Sequence, residues 1–120
     1  MKKILVCDDD PGILEVIKIM LESSNFEVIT LNNGRHILDK VKEFKPNLLL
    51  VDAWMPGIGG EEISKILRKD PVTKDLPVVI VSALNQGEIE QAVKRCAASG
   101  YLLKPFDMGD LLATVNKYAA

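Results

Sequence analysis

The fold is decided by the stretch Leu48-Leu49-Leu50-Val51-Asp52, in which four large apolar residues are followed by one carboxylate. Proline or glycine then stands at positions 56, 57, 59 and 60. An unbroken apolar run bounded by turn residues is typical of a strand that is buried on both faces. Because a charge inside such a strand would be very costly, Asp52 is predicted to lie at its carboxyl end, where the chain enters a loop. Ligands bind at this edge of open α/β sheets, so Asp52 is the first candidate functional residue.

Strands and helices are predicted to alternate five times along the chain. Apolar runs predict buried strands at residues 4–7, 48–52, 77–81 and 101–103, and the alternating pattern of residues 26–30 suits a half-buried edge strand. Apolar residues at helical spacing follow each of these segments. The alternation predicts a flavodoxin-like, doubly wound α/β fold, with a five-stranded parallel sheet in the order 2-1-3-4-5 and five helices on both faces. We expect residues 1–120 to form one domain.

Polar side chains mark the predicted helix ends. Asp10 before Pro11, Asn85 three residues before Glu88, and Asp107 are the candidate N-caps. Gly100 is predicted to end the fourth helix. The first helix is predicted to bury the residues that recur at helical spacing, namely Ile13, Val16, Ile17, Met20 and Leu21.

Composition excludes several classes of protein. The formal net charge is −2, so neither nucleic acid nor an anionic membrane is expected as a direct partner. The apolar run Ile4 to Cys7 is too short for a signal peptide, and no run reaches the roughly 18 residues of a membrane span. Cys7 and Cys96 are predicted to be small core residues in a reducing cytoplasm, and His36, the single histidine, is predicted to be exposed.

Four of the five predicted strands end in polar or charged residues. These are Asp8 and Asp9 after the first strand, Asp52 on the third, Ser82 on the fourth and Lys104 on the fifth. With the strand order 2-1-3-4-5, the first and third strands flank one crevice at the topological switch point. Two carboxylates 4 Å apart repel by about 4 kcal/mol at an effective dielectric constant of 20, and a hard divalent cation such as Mg²⁺ relieves that repulsion. A metal, a lysine and a hydroxyl around one carboxylate would stabilise a phosphoryl group on it.

The chain resembles the receiver domain of two-component response regulators over essentially its whole length. The matching motifs, specific in this order and spacing, are Ile4 to Asp10, Leu50-Val51-Asp52 with Met55-Pro56-Gly57, Val81-Ser82-Ala83, and Gly100 to Phe106. The resemblance implies a phosphoprotein of phosphorelay signal transduction, in which Asp52 takes a phosphoryl group from a phosphohistidine. The donor would be a sensor histidine kinase or a histidine phosphotransfer protein.

The resemblance also implies roles for the other residues of the crevice. Mg²⁺ would be bound by Asp9, Asp52 and the backbone carbonyl of Trp54, with Asp8 assisting through water. Lys104 would hold a phosphoryl oxygen, and its bond to Pro105 would be cis. Ser82 and Tyr101 would form the switch that changes the face made by helix 4, strand 5 and helix 5. A downstream effector domain or protein would bind that face, which is also a candidate homodimer interface.

Three positions depart from the usual receiver pattern. Trp54, two residues after the acceptor, and Leu84, two residues after Ser82, stand where the family tunes the lifetime of the phosphoryl group. Because both side chains are bulky and lack a group that can accept a proton from water, we expect a long-lived acyl phosphate. Gly59 replaces the acid usual in the loop after Met-Pro-Gly, which is expected to affect the loop more than the chemistry.

Other functions are compatible with parts of the pattern. Asp8-x-Asp10 superficially resembles the nucleophile and acid of a haloacid-dehalogenase-type phosphatase, but Pro11-Gly12 replaces the expected continuation. A vestigial interaction domain would not be expected to keep the whole set of acids, serine and lysine. A flavin-binding domain of similar fold would need a phosphate cradle where this chain has acids. The favoured interpretation is a signalling phosphoacceptor that promotes only its own phosphoryl transfer and dephosphorylation. The sequence is compatible both with a stand-alone receiver and with a piece of a longer regulator.

Overall fold

The computed structural model describes residues 1–119, which form alternating strands and helices. The strands are β1 (Lys3–Cys7), β2 (Glu27–Leu31), β3 (Leu48–Asp52), β4 (Val78–Ser82) and β5 (Gly100–Leu103). The helices are α1 (Pro11–Glu22), α2 (Ile37–Phe44), α3 (Gly60–Lys69), α4 (Gln86–Cys96) and α5 (Met108–Tyr118). The predicted number and order of elements are confirmed, with boundaries shifted by one or a few residues.

The strands form one parallel sheet in the order β2-β1-β3-β4-β5, as predicted. Every residue of β3 and β4 is buried, which explains why their sequences are apolar without alternation. In the register between β3 and β4, Asp52 lies opposite Val81, one residue before Ser82. The carboxyl ends of β1, β3, β4 and β5 therefore meet at one edge of the sheet.

The core has two layers, one on each face of the sheet. Side chains of α1 and α5, including Ile17 and Leu111, pack on the face that carries Val6 and Leu50. Side chains of α2, α3 and α4 pack on the opposite face; the buried ones are Ile37, Val41, Phe44, Ile63, Leu67, Ile89 and Cys96. Successive strand residues point to opposite faces, so each buried strand contributes to both layers.

The three predicted N-caps are confirmed. Asp10 Oδ1 accepts hydrogen bonds from the backbone nitrogens of Gly12 and Ile13, at 2.9 and 3.4 Å. Asn85 accepts from the nitrogen of Glu88, and Asp107 forms a reciprocal capping box with Asp110. These side chains satisfy backbone donors that have no partner within the helix.

Two predictions about helices were wrong. Val16 is 48% exposed, and the buried stripe of α1 consists of Leu14, Ile17 and Leu21. The fourth helix ends at Cys96, where Ala97 takes the left-handed conformation with φ of 55°, and Gly100 is instead the first residue of β5. Gly100 is required by packing, because a Cβ atom there would overlap the ring of Tyr118.

Across the described residues, no helix combines the length and the apolar character that a membrane crossing needs.

Candidate functional site

The candidate site is the edge of the sheet where β1, β3 and β5 end. Lys104, which follows β5, places its Nζ 3.1 Å from Oδ2 of Asp8 and 3.5 Å from Oδ1 of Asp52. Residues 8 and 104 are far apart in the chain, and the parallel sheet brings them together. The predicted carboxylates and the predicted lysine therefore form one cluster.

The surroundings of Asp52 disfavour the charged form of its carboxyl group. Asp52 is buried, and burial together with the charge of Asp8 raises the pKa of its carboxyl group above the ordinary value. The nearby Lys104 ammonium and the backbone N–H of Trp54, whose nitrogen lies 3.5 Å from Oδ1, lower that pKa only in part. A buried carboxylate of this kind can act as a nucleophile. The lysine and the backbone N–H beside one of its oxygens can then stabilise the negative charge of the product.

Lys104 is positioned by the acids that surround it. Burial lowers the pKa of its ammonium group, but the hydrogen bond to Asp8 and the charges of Asp52 and Asp8 outweigh burial and raise it. The backbone nitrogen of Lys104 also donates to the carbonyl oxygen of Ser82 at 2.7 Å, which extends the β4–β5 pairing to the site. Lys104 is therefore a fixed positive charge at the pH of the cell. Its bond to Pro105 is cis, as the resemblance implies.

Three carboxylates form the acidic part of the site. One oxygen from each of Asp8, Asp9 and Asp52 lies within 4.8 Å of the others. Asp8 is buried and accepts a hydrogen bond from the backbone nitrogen of Asp10 at 2.9 Å, whereas Asp9 is exposed. All-oxygen donors of this kind fit a hard divalent cation, and the exposed side leaves room for water ligands. Asp10 is engaged as the cap of α1, so it is not part of this donor set.

The predicted switch residues lie on neighbouring strands. Ser82 is buried at the end of β4, and its Oγ accepts a hydrogen bond from the backbone nitrogen of Leu84 at 3.0 Å. Tyr101 on β5 is half-buried, and its hydroxyl lies 3.2 Å from Oε1 of Glu90 and 3.3 Å from Nε2 of Gln86, both on α4. The tyrosine hydroxyl thus contacts helix α4 at the protein surface in this structure.

Trp54 and Leu84 flank the site on the side of α4. Trp54 is 75% exposed, and Leu84 is half-buried. Both line a cavity of about 470 Å³ between the β3–α3 loop and α4, with Ile80 and Ala92 in its wall. The two side chains therefore border the same cavity, and their effect on phosphoryl lifetime stays a prediction.

Several features of the site were not predicted from the sequence. Gln86 and Glu90, the partners of Tyr101, carry no motif and are recognisable only once α4 is placed beside β5. Cys7 was predicted only as a core residue, but its Sγ lies 3.2 Å from the carbonyl oxygen of Asn33 and 3.7 Å from Sδ of Met55. Burial and the adjacent charges of Asp8 and Asp52 raise the pKa of this thiol to about 12, so it is an unreactive neighbour of the acceptor.

An apolar groove of about 640 Å³ opens beside Lys104, between α1 and the segment after β5. Its lining includes Ile13, Val16, Met20 and Phe106. Val16, which was wrongly predicted to be buried, lines this groove. The only sign of the groove in the sequence is that α1 carries apolar residues on more than one face.

Comparison with known proteins assigns the chain to a family. The model of the response regulator receiver domain matches residues 4–116, and the chain therefore belongs to this family of two-component signalling proteins. It is 35% identical over 120 residues to the protein PilH of Pseudomonas aeruginosa, with 100% of this chain and 99% of PilH covered. Among solved structures it resembles the chemotaxis protein CheY4 of Vibrio cholerae, with a TM-score of 0.92, 30% identity and 98% of each chain covered.

Some relatives are longer than this chain. The DNA-binding response regulator MtrA of Mycolicibacterium smegmatis is 32% identical over 115 residues, and the match covers 96% of this chain but 49% of MtrA. This chain therefore spans nearly the whole length of PilH but about half the length of MtrA.

Proposed function

We propose that this receiver domain accepts a phosphoryl group on Asp52 from a phosphohistidine of a partner protein in the cytoplasm. The observation that carries the proposal is the geometry around Asp52. Its carboxylate ends a buried strand, Nζ of Lys104 lies 3.5 Å from one of its oxygens, and the carboxylates of Asp8 and Asp9 complete the cluster.

The proposed reaction is a phosphoryl transfer between side chains. A carboxylate oxygen of Asp52 attacks the phosphorus atom, the new O–P bond forms, and the N–P bond to the donor imidazole breaks with its electron pair going to nitrogen. The transition state needs positioning and charge neutralisation more than covalent assistance. Lys104 supplies a fixed ammonium beside the acceptor, and the backbone N–H of Trp54 points at the same oxygen.

The acidic cluster is proposed to hold Mg²⁺ through Asp9, Asp52 and the carbonyl of Trp54, with Asp8 assisting through water. The ion would neutralise charge on the phosphoryl oxygens when bound. Without it, the three carboxylates face one ammonium, so the protein alone leaves an excess of negative charge where an anionic group must enter.

The phosphorylated state is proposed to be read on the surface formed by α4, β5 and α5. Ser82 follows Val81, the residue that is paired with Asp52, and its hydroxyl would change its hydrogen bond when Asp52 gains a phosphoryl group. Tyr101, whose hydroxyl contacts Gln86 and Glu90, would turn inward and leave those contacts. A two-position element of this kind biases the surface that an effector or a second copy of the chain would bind.

The phosphodonor is proposed to dock in the apolar groove beside Lys104. The groove reaches Lys104 and Asp10, so a helix lying in it would bring a phosphohistidine to the acceptor crevice. Val16→Glu should slow transfer from a purified, phosphorylated histidine phosphotransfer protein but leave the reaction with acetyl phosphate unchanged. Ile19→Glu is the matched control, because Ile19 is 60% exposed on the same helix and does not line the groove. Equal effects of the two variants on protein-dependent transfer would reject this docking site.

The acceptor itself is tested with a small donor. Wild-type protein incubated with Mg²⁺ and acetyl phosphate should gain one phosphoryl adduct by intact mass, and Asp52→Asn should gain none. Asp39→Asn, an exposed aspartate of α2, is the control and should behave like wild type. A full adduct on Asp52→Asn would refute the assignment, and turnover of small phosphate esters would favour the phosphatase alternative.

A further inference from the structure

We propose that helix α4 tilts about a fixed C-terminal end when Asp52 is phosphorylated, so that the surface read by partners changes mainly beside Gln86 and Glu90. The inference rests on the proposed phosphoacceptor function and specifies which part of α4 moves. The two ends of the helix are held differently, because side chains of α3 bind its C-terminal end whereas the hydroxyl of Tyr101 contacts its N-terminal end.

Two side chains of α3 bind carbonyl groups at the C-terminal end of α4. The hydroxyl of Ser64, which is fully buried, donates to the carbonyl oxygen of Cys96 at 2.9 Å. Nε of Arg68, one turn further along α3, donates to the carbonyl oxygen of Ala97 at 2.8 Å. The last carbonyl groups of a helix have no partner within the helix, so these bonds satisfy groups that would otherwise need water. The end of α4 is therefore bonded to α3 through its backbone and not only through side-chain packing.

Further contacts strengthen this attachment. Oε1 and Oε2 of Glu61, in the first turn of α3, accept hydrogen bonds from Nε and Nη2 of Arg95 at 2.8 and 3.3 Å. Glu61 lies two helical turns before Arg68, on the same face of α3. Nη1 of Arg68 also donates to the carbonyl oxygens of Lys74 and Leu76, at 3.1 and 2.7 Å, in the segment that leads into β4. Arg68 thus joins the end of α4 both to α3 and to the start of a central strand.

The N-terminal end of α4 has much weaker attachments. Residues 85–88 are all exposed, and the cap formed by Asn85 with the backbone nitrogen of Glu88 lies within the turn itself. In residues 1–119, the side-chain hydrogen bonds that reach this end from another element are those of the Tyr101 hydroxyl with Gln86 and Glu90, at 3.3 and 3.2 Å. An inward turn of Tyr101 would break both bonds and release this end of the helix.

The released end has space in which to move. The cavity of about 470 Å³ beside the β3–α3 loop is lined on the α4 side by Glu88, Ala92 and Arg95, which lie on one face of the helix. A tilt into a cavity does not displace close-packed side chains, which resist movement elsewhere in a protein interior. Gln86 is roughly 15 Å along the helix from Cys96 at 1.5 Å per residue, so a tilt of about 10° would move it by about 2.5 Å. Arg95, beside the fixed end, would hardly move.

Amide NMR of the wild-type protein, with Mg²⁺ and excess acetyl phosphate, tests the tilt. Residual dipolar couplings should show a changed direction of α4 relative to the sheet, which the charge of a phosphoryl group alone would not produce. Because displacement grows with distance from the fixed end, amide shift changes at residues 86–90 should exceed those at Cys96 and Ala97 at least about threefold. Asp52→Asn under the same conditions is the control and should keep the original direction. An unchanged direction in phosphorylated wild type, or equal shift changes at both ends of α4, would overturn the proposal.

The variants Arg68→Gln and Lys69→Gln test whether α3 holds the fixed end. Both remove one positive charge from the last turn of α3, but the side chain of Lys69 is exposed. Arg68→Gln should accept phosphate at the wild-type rate, with the shift changes spreading to Cys96 and Ala97, whereas Lys69→Gln should keep the wild-type difference between the two ends. A folded Arg68→Gln protein that keeps this difference would reject the attachment, and if the variant does not fold, the wild-type couplings decide. Failure of wild type itself to accept phosphate would instead refute the proposed function.

Discussion

Replacing Asp52 by asparagine is expected to stabilise the metal-free protein. The substitution keeps the shape of the side chain but removes a buried negative charge that two other carboxylates face. Functional sites often hold charge arrangements that cost stability, because the charges are arranged for a ligand and not for the empty fold.

The repulsions around Asp52 exceed the attraction. At 4.8 Å, the upper limit of separation within the cluster, each of Asp8 and Asp9 repels it by about 3.5 kcal/mol at an effective dielectric constant of 20. The Lys104 ammonium at 3.5 Å offsets about 4.7 kcal/mol on the same scale. The net repulsion is about 2 kcal/mol, and screening by water around the exposed Asp9 reduces it. We expect a gain of about 1–2 kcal/mol, or roughly 4–8 °C in the melting temperature.

Urea unfolding at pH 7 in a chelator measures this gain. Wild type, Asp52→Asn and the exposed control Asp39→Asn are compared, and only Asp52→Asn should move the midpoint upward. Added Mg²⁺ should reduce the difference in stability between Asp52→Asn and wild type. A metal ion that binds the native state stabilises it, and the variant has lost one of the carboxylates proposed to coordinate the ion. A variant that is no more stable than wild type in the chelator would refute the electrostatic reasoning.

The same prediction has a definite pH dependence. Burial and the charge of Asp8 raise the pKa of Asp52 in the folded protein, so the native state binds this proton more tightly than the unfolded chain does. The wild-type free energy of unfolding therefore falls as pH rises through the window from the ordinary carboxyl pKa, roughly 4, up to the raised value. The advantage of Asp52→Asn should be full at pH values above that window and should shrink as the pH is lowered through it.

The other predictions concern the metal, the switch and the lifetime of the phosphoryl group. Asp9→Ala should weaken Mg²⁺ binding more than Asp10→Ala does, because Asp10 caps α1. The fluorescence of Trp54 measures the binding, and equal losses of affinity would contradict the assignment of Asp9 to the metal and Asp10 to the cap. Ser82→Ala should still accept phosphate but lose the amide NMR shifts in α4 that follow phosphorylation, and unchanged shifts would mean that another element carries the signal. The double variant Trp54→Asn, Leu84→Glu should lose its phosphoryl group about tenfold faster after donor removal, because it gains groups that can orient water. Equal or slower decay would show that these side chains do not set the lifetime.

The sheet could be predicted from the sequence because its strands are buried on both faces. Stretches such as Leu48 to Asp52 combine an apolar run with a flanking turn, and few other structures accommodate that pattern. Helix α1 shows the limit of the same reasoning. Its apolar residues lie on several faces, so periodicity alone could not separate the buried Leu14 from the exposed Val16. The difference depends on which face the sheet covers.

Contacts between distant segments account for what the sequence did not predict. Gly100 was interpreted as a helix stop, but its reason is the ring of Tyr118, eighteen positions further along the chain. The partners of Tyr101 on α4 and the approach of Gly59 to Ala53 likewise exist only in three dimensions. The positions of the site residues at strand ends were predictable, because parallel strands bring their carboxyl ends to one edge.

The charges of the crevice explain why Lys104 has two partners. Three carboxylates and one ammonium leave an excess of two negative charges, which is the charge that one divalent cation would balance. Conversion of the Asp52 carboxylate to an acyl phosphate would replace a single negative charge with up to two, displaced outward by the length of the new bond. Lys104 already lies between Asp8 and Asp52, at 3.1 and 3.5 Å, so a small movement would exchange one partner for the other. The backbone nitrogen of Lys104 donates a hydrogen bond to the carbonyl oxygen of Ser82, so the lysine is also attached to the end of β4, where the proposed switch begins.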